Sequence, residues 1–277
     1  MSRGTRTEAR YESMLPREVA NQERPGAHGR LPDQSLSLPR SDRREPVYRH
    51  ARIYQLRGSE VRTLATVGAF RIVPASDLDD GTRRGDPWNG DLRSLADQGL
   101  LERKTVMIEG RSTLVVALTR DAKSLLDAHR RDEATGRQQC YHAGFVKPRE
   151  MAHDAQLYRL YRAEAARIEA AGGRISRVVL DYELKREYQR FLNRKGREED
   201  SSRDEDRRVF AEATALPVVN GHLALPDLRI EYETADGRHE HRDVELVTRH
   251  YSRAQLAGKA VFAHGSPFDP HNLDGLS

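Results

Sequence analysis

The chain has 277 residues, with 47 Lys and Arg against 43 Asp and Glu for a formal charge of +4, and it is 32% charged against 37% hydrophobic. No apolar run approaches the roughly 20 residues that span a bilayer, and no apolar segment of signal-peptide type is read near the N-terminus, so neither a membrane partner nor export is expected. A single cysteine, Cys140, excludes an intramolecular disulfide and a thiolate zinc cluster and fits a cytoplasmic compartment, while a pI near 9.2 is mild enough that the placement of charge must carry any case for nucleic acid.

Residues 1–50 are rich in Arg, Pro, Ser, Gly and Glu and show no sustained periodicity, which predicts a disordered tail. Its arginines, Arg40, Arg43 and Arg44 among them, would either hold phosphates or simply be solvated. Over 51–131 the pattern predicts a helix at Ser59–Phe70, a second at Pro74–Asp79 and a third near Asn89–Gln98, with Leu92 and Leu95 on one face and Gly99 as its stop. Two strands follow, Glu102–Ile108 and Thr113–Leu118, around the turn Glu109-Gly110-Arg111-Ser112, and then another helix. That order is a winged helix-turn-helix, and it points to double-stranded DNA as the partner. The third helix would enter the major groove with Arg93 and Ser94 as exposed readers. Arg83, Arg84, Arg103, Lys104 and Arg111 would hold phosphates, which gives affinity without sequence choice. Trp88 would anchor the turn before that helix. Asp91 and Asp97 on the same helix count against DNA, and winged helices also serve as protein-interaction modules.

The pattern fades over 132–150, and Lys147-Pro148 marks a linker. A second domain is expected over 151–266, followed by a tail at 267–277. It opens with an amphipathic helix from near His153, carrying Leu157, Leu160, Tyr161 and Ile168 and closed by Gly172-Gly173. A strand at Ile175–Leu180 and a helix at Glu183–Lys195 come next, and Arg197–Arg208 reads as an exposed charged excursion. Asn220-Gly221 makes a hairpin turn, and Leu223–Glu233 and Glu240–Thr248 are strands around Ala235-Asp236-Gly237. Ser252 would cap a final helix to about Ala263, on which Tyr251, Gln255 and Lys259 fall four residues apart. The fold class is α+β.

Three carboxylates stand out. Glu164 lies in the apolar stripe of its helix, where a charge needs an arginine partner, an opened face or a metal. With a three-residue loop and Gly237 in the left-handed region, Asp227 falls across from Glu245, and like charges so placed call for a divalent cation unless both are solvated. His153 lies on the Glu164 face, either as a satisfied core histidine or touching phosphate or metal. His239 and His241 alternate along a strand without the further ligands a zinc site needs.

Pro226-Asp227, the hairpin, Glu245 on the next strand, the upstream Glu164 and the downstream Gln255 and Lys259 together resemble the PD-(D/E)XK nuclease superfamily. With the winged half, His153 and the VEL and YSxxQxxxK-like segments, residues from about 55 to 265 look like the replication-relaxation family of plasmids and mobile elements. The resemblance implies an α/β domain with a mixed central sheet. It also implies Mg2+ or Mn2+ on Asp227 and Glu245, assisted by Glu164, and Lys259 activating water. Val247 stands where the motif asks for lysine, and Lys259 would substitute from the helix. The function so implied is a DNA-binding protein of a mobile element, acting in replication or relaxation control. An active metal-dependent DNA endonuclease is one alternative. The other is a winged-helix transcriptional regulator whose C-terminal half senses a ligand or forms a homodimer.

Overall fold

The structure, a computed structural model, describes residues 35–78, 88, 90–108, 110–131, 138–195, 202–246 and 266–267. Among these the fold is mixed α+β, with six α-helices and four small sheets. Every strand pairing among them is antiparallel. The mixed central sheet expected from the resemblance is therefore corrected for the described strands.

Order begins earlier than composition predicts. Leu36 and Leu38 are buried, and Ser35 and Ser37 exchange backbone hydrogen bonds with Arg131 and His129. The strands β1 (Glu45–Arg49) and β2 (Arg52–Leu56) form a hairpin whose Val47, Tyr54 and Leu56 reach the core. The expected tail of 1–50 thus holds from 35 onward a packed segment, because a few apolar residues at the right spacing suffice to anchor it. Helix α1 (Gly58–Phe70) starts against this segment. The Gly58 N–H donates to Ser41 O at 2.8 Å, and a Cβ at Gly58 would stand 2.3 Å from Arg40 O, so only glycine permits the crossing.

The expected second helix at Pro74–Asp79 is instead a two-residue strand, β3 (Val73–Pro74), and one 3-10 turn, Ala75–Leu78. Pro74 lacks a donor and sits on an edge strand, where that lack is tolerated. Helix α2 (Asp91–Asp97) is followed by β4 (Leu101–Ile108), β5 (Arg111–Leu118) and α3 (Arg120–Ala128). Ile108 pairs with Arg111, so Arg111 is the first strand residue after a turn of two. The sheet order is β3-β5-β4. Thr119 caps α3 by accepting from Ala122 N at 3.2 Å.

The residues between α3 and the next helix are not a bare linker. Gln139 and Tyr141 are buried, His142 N donates to Gly68 O and Gly144 N to Leu118 O. The Gln139 side chain also bonds both the N–H and C=O of Val178, at 2.8 and 2.9 Å. Helix α4 (Pro148–Ala170) takes proline in its first turn and buries Met151, Ala155, Leu157, Tyr158, Tyr161, Ala165 and Ile168. Then come β6 (Arg174–Leu180) and α5 (Asp181–Lys195).

The expected charged excursion is corrected in its second part. Residues Arg203–Thr214 are helix α6, capped by Ser202 and burying Phe210 and Ala211, with Arg207–Asp204 and Arg208–Glu205 pairs along its exposed side. Strands β7 (Val218–Val219) and β8 (His222–Leu223) flank Asn220 and Gly221, both at positive φ. The long strand expected over Leu223–Glu233 is broken at 224–227, and β9 covers Leu228–Glu233. The partner β10 (His239–Val244) ends short of the expected Thr248, and β11 (Ser266–Pro267) pairs with β10, giving the order β11-β10-β9-β6. The final helix expected from Ser252 lies outside the described residues. One continuous apolar cluster links Leu64, Phe70, Leu95 and Leu126 to Tyr158, Tyr161, Val178 and Ile230.

Candidate nucleic-acid interface and acidic site

Leu92 and Leu95, three residues apart, are buried, and this turns Arg93 outward with its side chain 67% exposed. Asp97 lies 3.9 Å from Arg93, and Asp91 accepts from Arg57, so both acidic residues of α2 face an arginine. Ser94, the other expected reader, is engaged instead, its Oγ accepting from Arg44 Nη2 at 3.1 Å. On the adjoining hairpin Arg103, Lys104 and Arg111 are exposed. Arg103 lies 4.4 Å over the ring of Trp88, which packs on the core as an anchor. Arg83 and Arg84 lie outside the described residues.

The second assembly forms where β9 and β10 leave the sheet. Gly237 has φ +80°, and Gly237 N donates to Thr234 O at 2.9 Å while Thr234 N donates to Arg238 O at 2.8 Å. Glycine is needed at that φ. The loop fixes Val244 opposite Leu228, the last pair of the ladder, and that register continued by one residue is the one in which Asp227 is expected across from Glu245. Asp227 is held twice: its carboxylate accepts from Leu246 N at 2.9 Å and its carbonyl from Asp181 N at 3.2 Å.

His153, near the start of α4, approaches Asp227. Its Nε2 is 3.8 Å from Asp227 Oδ1 and its Nδ1 is 3.6 Å from Asp154 Oδ1, distances of ion pairing. Asp154 first and Asp227 next outweigh burial and lift the imidazole to about 9, so it is a cation at neutral pH. Asp154 is 1% exposed and takes a bidentate pair from Arg71 at 2.8 and 2.9 Å. Arg71 in turn stacks 4.5 Å over Tyr182.

Glu164 is not part of this group. It is eleven residues beyond His153 on one helix, about 16 Å along the axis, and it pairs with Arg167 at 2.5 Å and Arg242 at 3.5 Å. Its charge is thus met by arginine, on the wall of an open cleft of about 350 Å3 also lined by Tyr232, Arg238 and Glu240. Lys259, Gln255 and Val247 lie outside the described residues. His239 is exposed, whereas His241 is buried 3.6 Å from Asp243.

Among the described residues no group of three or more His, Cys, Asp and Glu is placed to enclose a metal ion. Asp227 and Glu245 alone are a hard-oxygen pair of the kind that suits Mg2+, which often takes one or two carboxylates and completes its shell with water and substrate phosphate.

Sequence reasoning missed the charges buried in this half. Arg229 makes a bidentate pair with Asp243 at 2.7 and 2.8 Å and donates to Thr214 O at the end of α6. Arg177 faces Glu187, Glu183 and Glu231 at 3.4, 3.8 and 3.9 Å. The signal for Arg229 was present, since the register expected to set Asp227 across from Glu245 pairs Arg229 with Asp243. Arg71 and Asp154 carry no comparable signal. Comparison of the chain with protein-family models, with curated proteins and with solved structures gave no match.

Proposed function

We propose that this chain is a double-stranded-DNA-binding protein of the replication-relaxation kind found on plasmids and mobile elements, docking as a winged helix-turn-helix. The observation that carries the reading is the outward arginine of α2 beside a hairpin whose exposed residues include Arg103, Lys104 and Arg111. In this reading α2 enters the major groove and Arg93 contacts base edges, while the hairpin cations hold phosphates. Mobility shift of short duplexes tests it. Arg93→Ala should relax sequence preference by about 1–3 kcal/mol at one position, and Lys104→Gln should weaken all sequences alike. Loss of neither would count against this docking.

A second reading is favoured by His153 lying 3.8 Å from Asp227, with Glu245 next in the chain after the Val244–Leu228 pair: metal-dependent cleavage of the DNA so held. Asp227 and Glu245 would hold Mg2+, which would polarise a phosphodiester oxygen and lower the pKa of a bound water. The His153 cation would keep Asp227 oriented and offer positive charge to the phosphate. Lys259 is the remaining member of this proposal. Supercoiled plasmid incubated with Mg2+ or Mn2+, against chelator, should be nicked by the native chain and spared by Asp227→Ala and Glu245→Ala. Salt-sensitive binding without nicking would leave the regulator, with a non-catalytic C-terminal half.

A further inference from the structure

Arg44 lies outside every element of a winged helix, in the segment that crosses the start of α1. Its partner Glu60 is fully buried, with a side-chain exposure of 0%, whereas Arg44 itself is 45% exposed. Arg44 Nε and Nη2 donate to the two Glu60 oxygens at 3.3 and 2.7 Å, and Nη2 also donates to Ser94 Oγ on α2 at 3.1 Å. Glu60 is itself fixed, since it accepts from Arg57 N at 3.1 Å. The backbone beneath is pinned where Gly58 meets Ser41 and Arg40. A long, flexible side chain is therefore ordered before any ligand arrives, and Nη1 makes no hydrogen bond among the described residues. A guanidinium with its inner edge committed to a buried carboxylate and its outer edge presented beside a helix is preorganised for an acceptor that lies along that helix.

We infer that Arg44 is a DNA-contacting residue, delivering its outer edge to a phosphate oxygen or a guanine acceptor beside α2, with Ser94 serving as its anchor rather than as a reader. This rests on the DNA-binding reading above. The α2 acids do not oppose it, because Asp91 faces Arg57 and Asp97 faces Arg93.

Fluorescence anisotropy of a labelled duplex, titrated with the full chain over a range of salt, tests the assignment. The set is the native chain, Arg44→Gln, and the double variant Arg44→Gln with Glu60→Gln, in which no buried carboxylate is left without its cation. Both variants should bind several-fold more weakly. A phosphate contact would lower the slope of log K against log salt by about 0.9. A guanine contact would leave the slope and erase a preference among duplexes differing at one G·C pair. If the folded double variant keeps the native slope and the native preference, the assignment of Arg44 is overturned while DNA binding stands. If the native chain binds no duplex, the reading beneath it fails, and this inference with it.

Discussion

Arg71 carries the most strained backbone in the site. Its φ of 62° and ψ of −55°, with Ile72 N donating to Phe70 O at 2.7 Å, describe a γ-turn of the rare positive-φ kind. Such a residue costs about 1–3 kcal/mol, and the surroundings must over-determine it. The bidentate pair with Asp154 and the stacking on Tyr182 do so. Arg71→Ala should destabilise by about 3 kcal/mol, since it removes the bidentate partner of a buried carboxylate and leaves it only the more distant His153, and Arg71→Gly by less, since glycine accepts that φ. Chemical denaturation decides; equal losses would mean that the backbone is not strained. Glu183 sets a pH limit. Burial pushes its carboxyl upward, but the His142 imidazole 3.6 Å away and the charge of Arg177 prevail and hold it below its ordinary value of 4.5. A carboxylate lowered on folding contributes stability that is present above about 4.5 and lost as pH falls through the lowered folded value. Melting temperature should therefore drop on acidification below that point, and less steeply in Glu183→Gln.

At the level of elements, periodicity and glycine made some of the fold legible and left the rest unread. The helices with three- and four-residue apolar stripes, α1 and α4, and the hairpin of β9 and β10 follow from spacing and from Gly237. That hairpin predicts its own sensitivity: Gly237→Ala should cost about 1–2 kcal/mol, because a Cβ in the left-handed region clashes with its own backbone. A stability equal to the native chain's in urea would show that the loop relaxes. Short or highly charged elements were illegible for physical reasons. β3 is two residues long and contains proline, so no alternation can be seen in it. α6 is held by a serine cap, i,i+3 ion pairs and a few apolar residues, and its charge hides it. β1 and β2 depend on burial of Val47, Tyr54 and Leu56 against distant residues, which no local pattern announces.

At the scale of the whole molecule, the half that carries α2 and the β4–β5 hairpin and the site around Asp227 share one core and one polar joint. Phe70, at the end of α1, packs against Tyr158 and Tyr161 of α4 with ring centroids 5.1 and 4.7 Å apart. The next residue, Arg71, reaches Asp154, and His153 beside it reaches Asp227. The segment 138–147 packs over both α1 and β6, and Gln139 supplies Val178 with the two hydrogen bonds a neighbouring strand would supply. Sequence reads the register that would set Asp227 opposite Glu245 because hairpin register is local. It gathered Glu164 with them because helix spacing gives a face but not which end of the sheet that face meets.

The proposed DNA binding through α2 and the hairpin of β4 and β5 is tested most directly by the salt dependence of duplex affinity. The native chain should bind with a steep negative slope of log K against log salt. Replacing Arg103, Lys104 and Arg111 together by glutamine should flatten that slope by about 2.7, the release of three phosphate counterions. Binding that is absent, or whose slope the triple variant leaves unchanged, would contradict the assignment of this face to DNA.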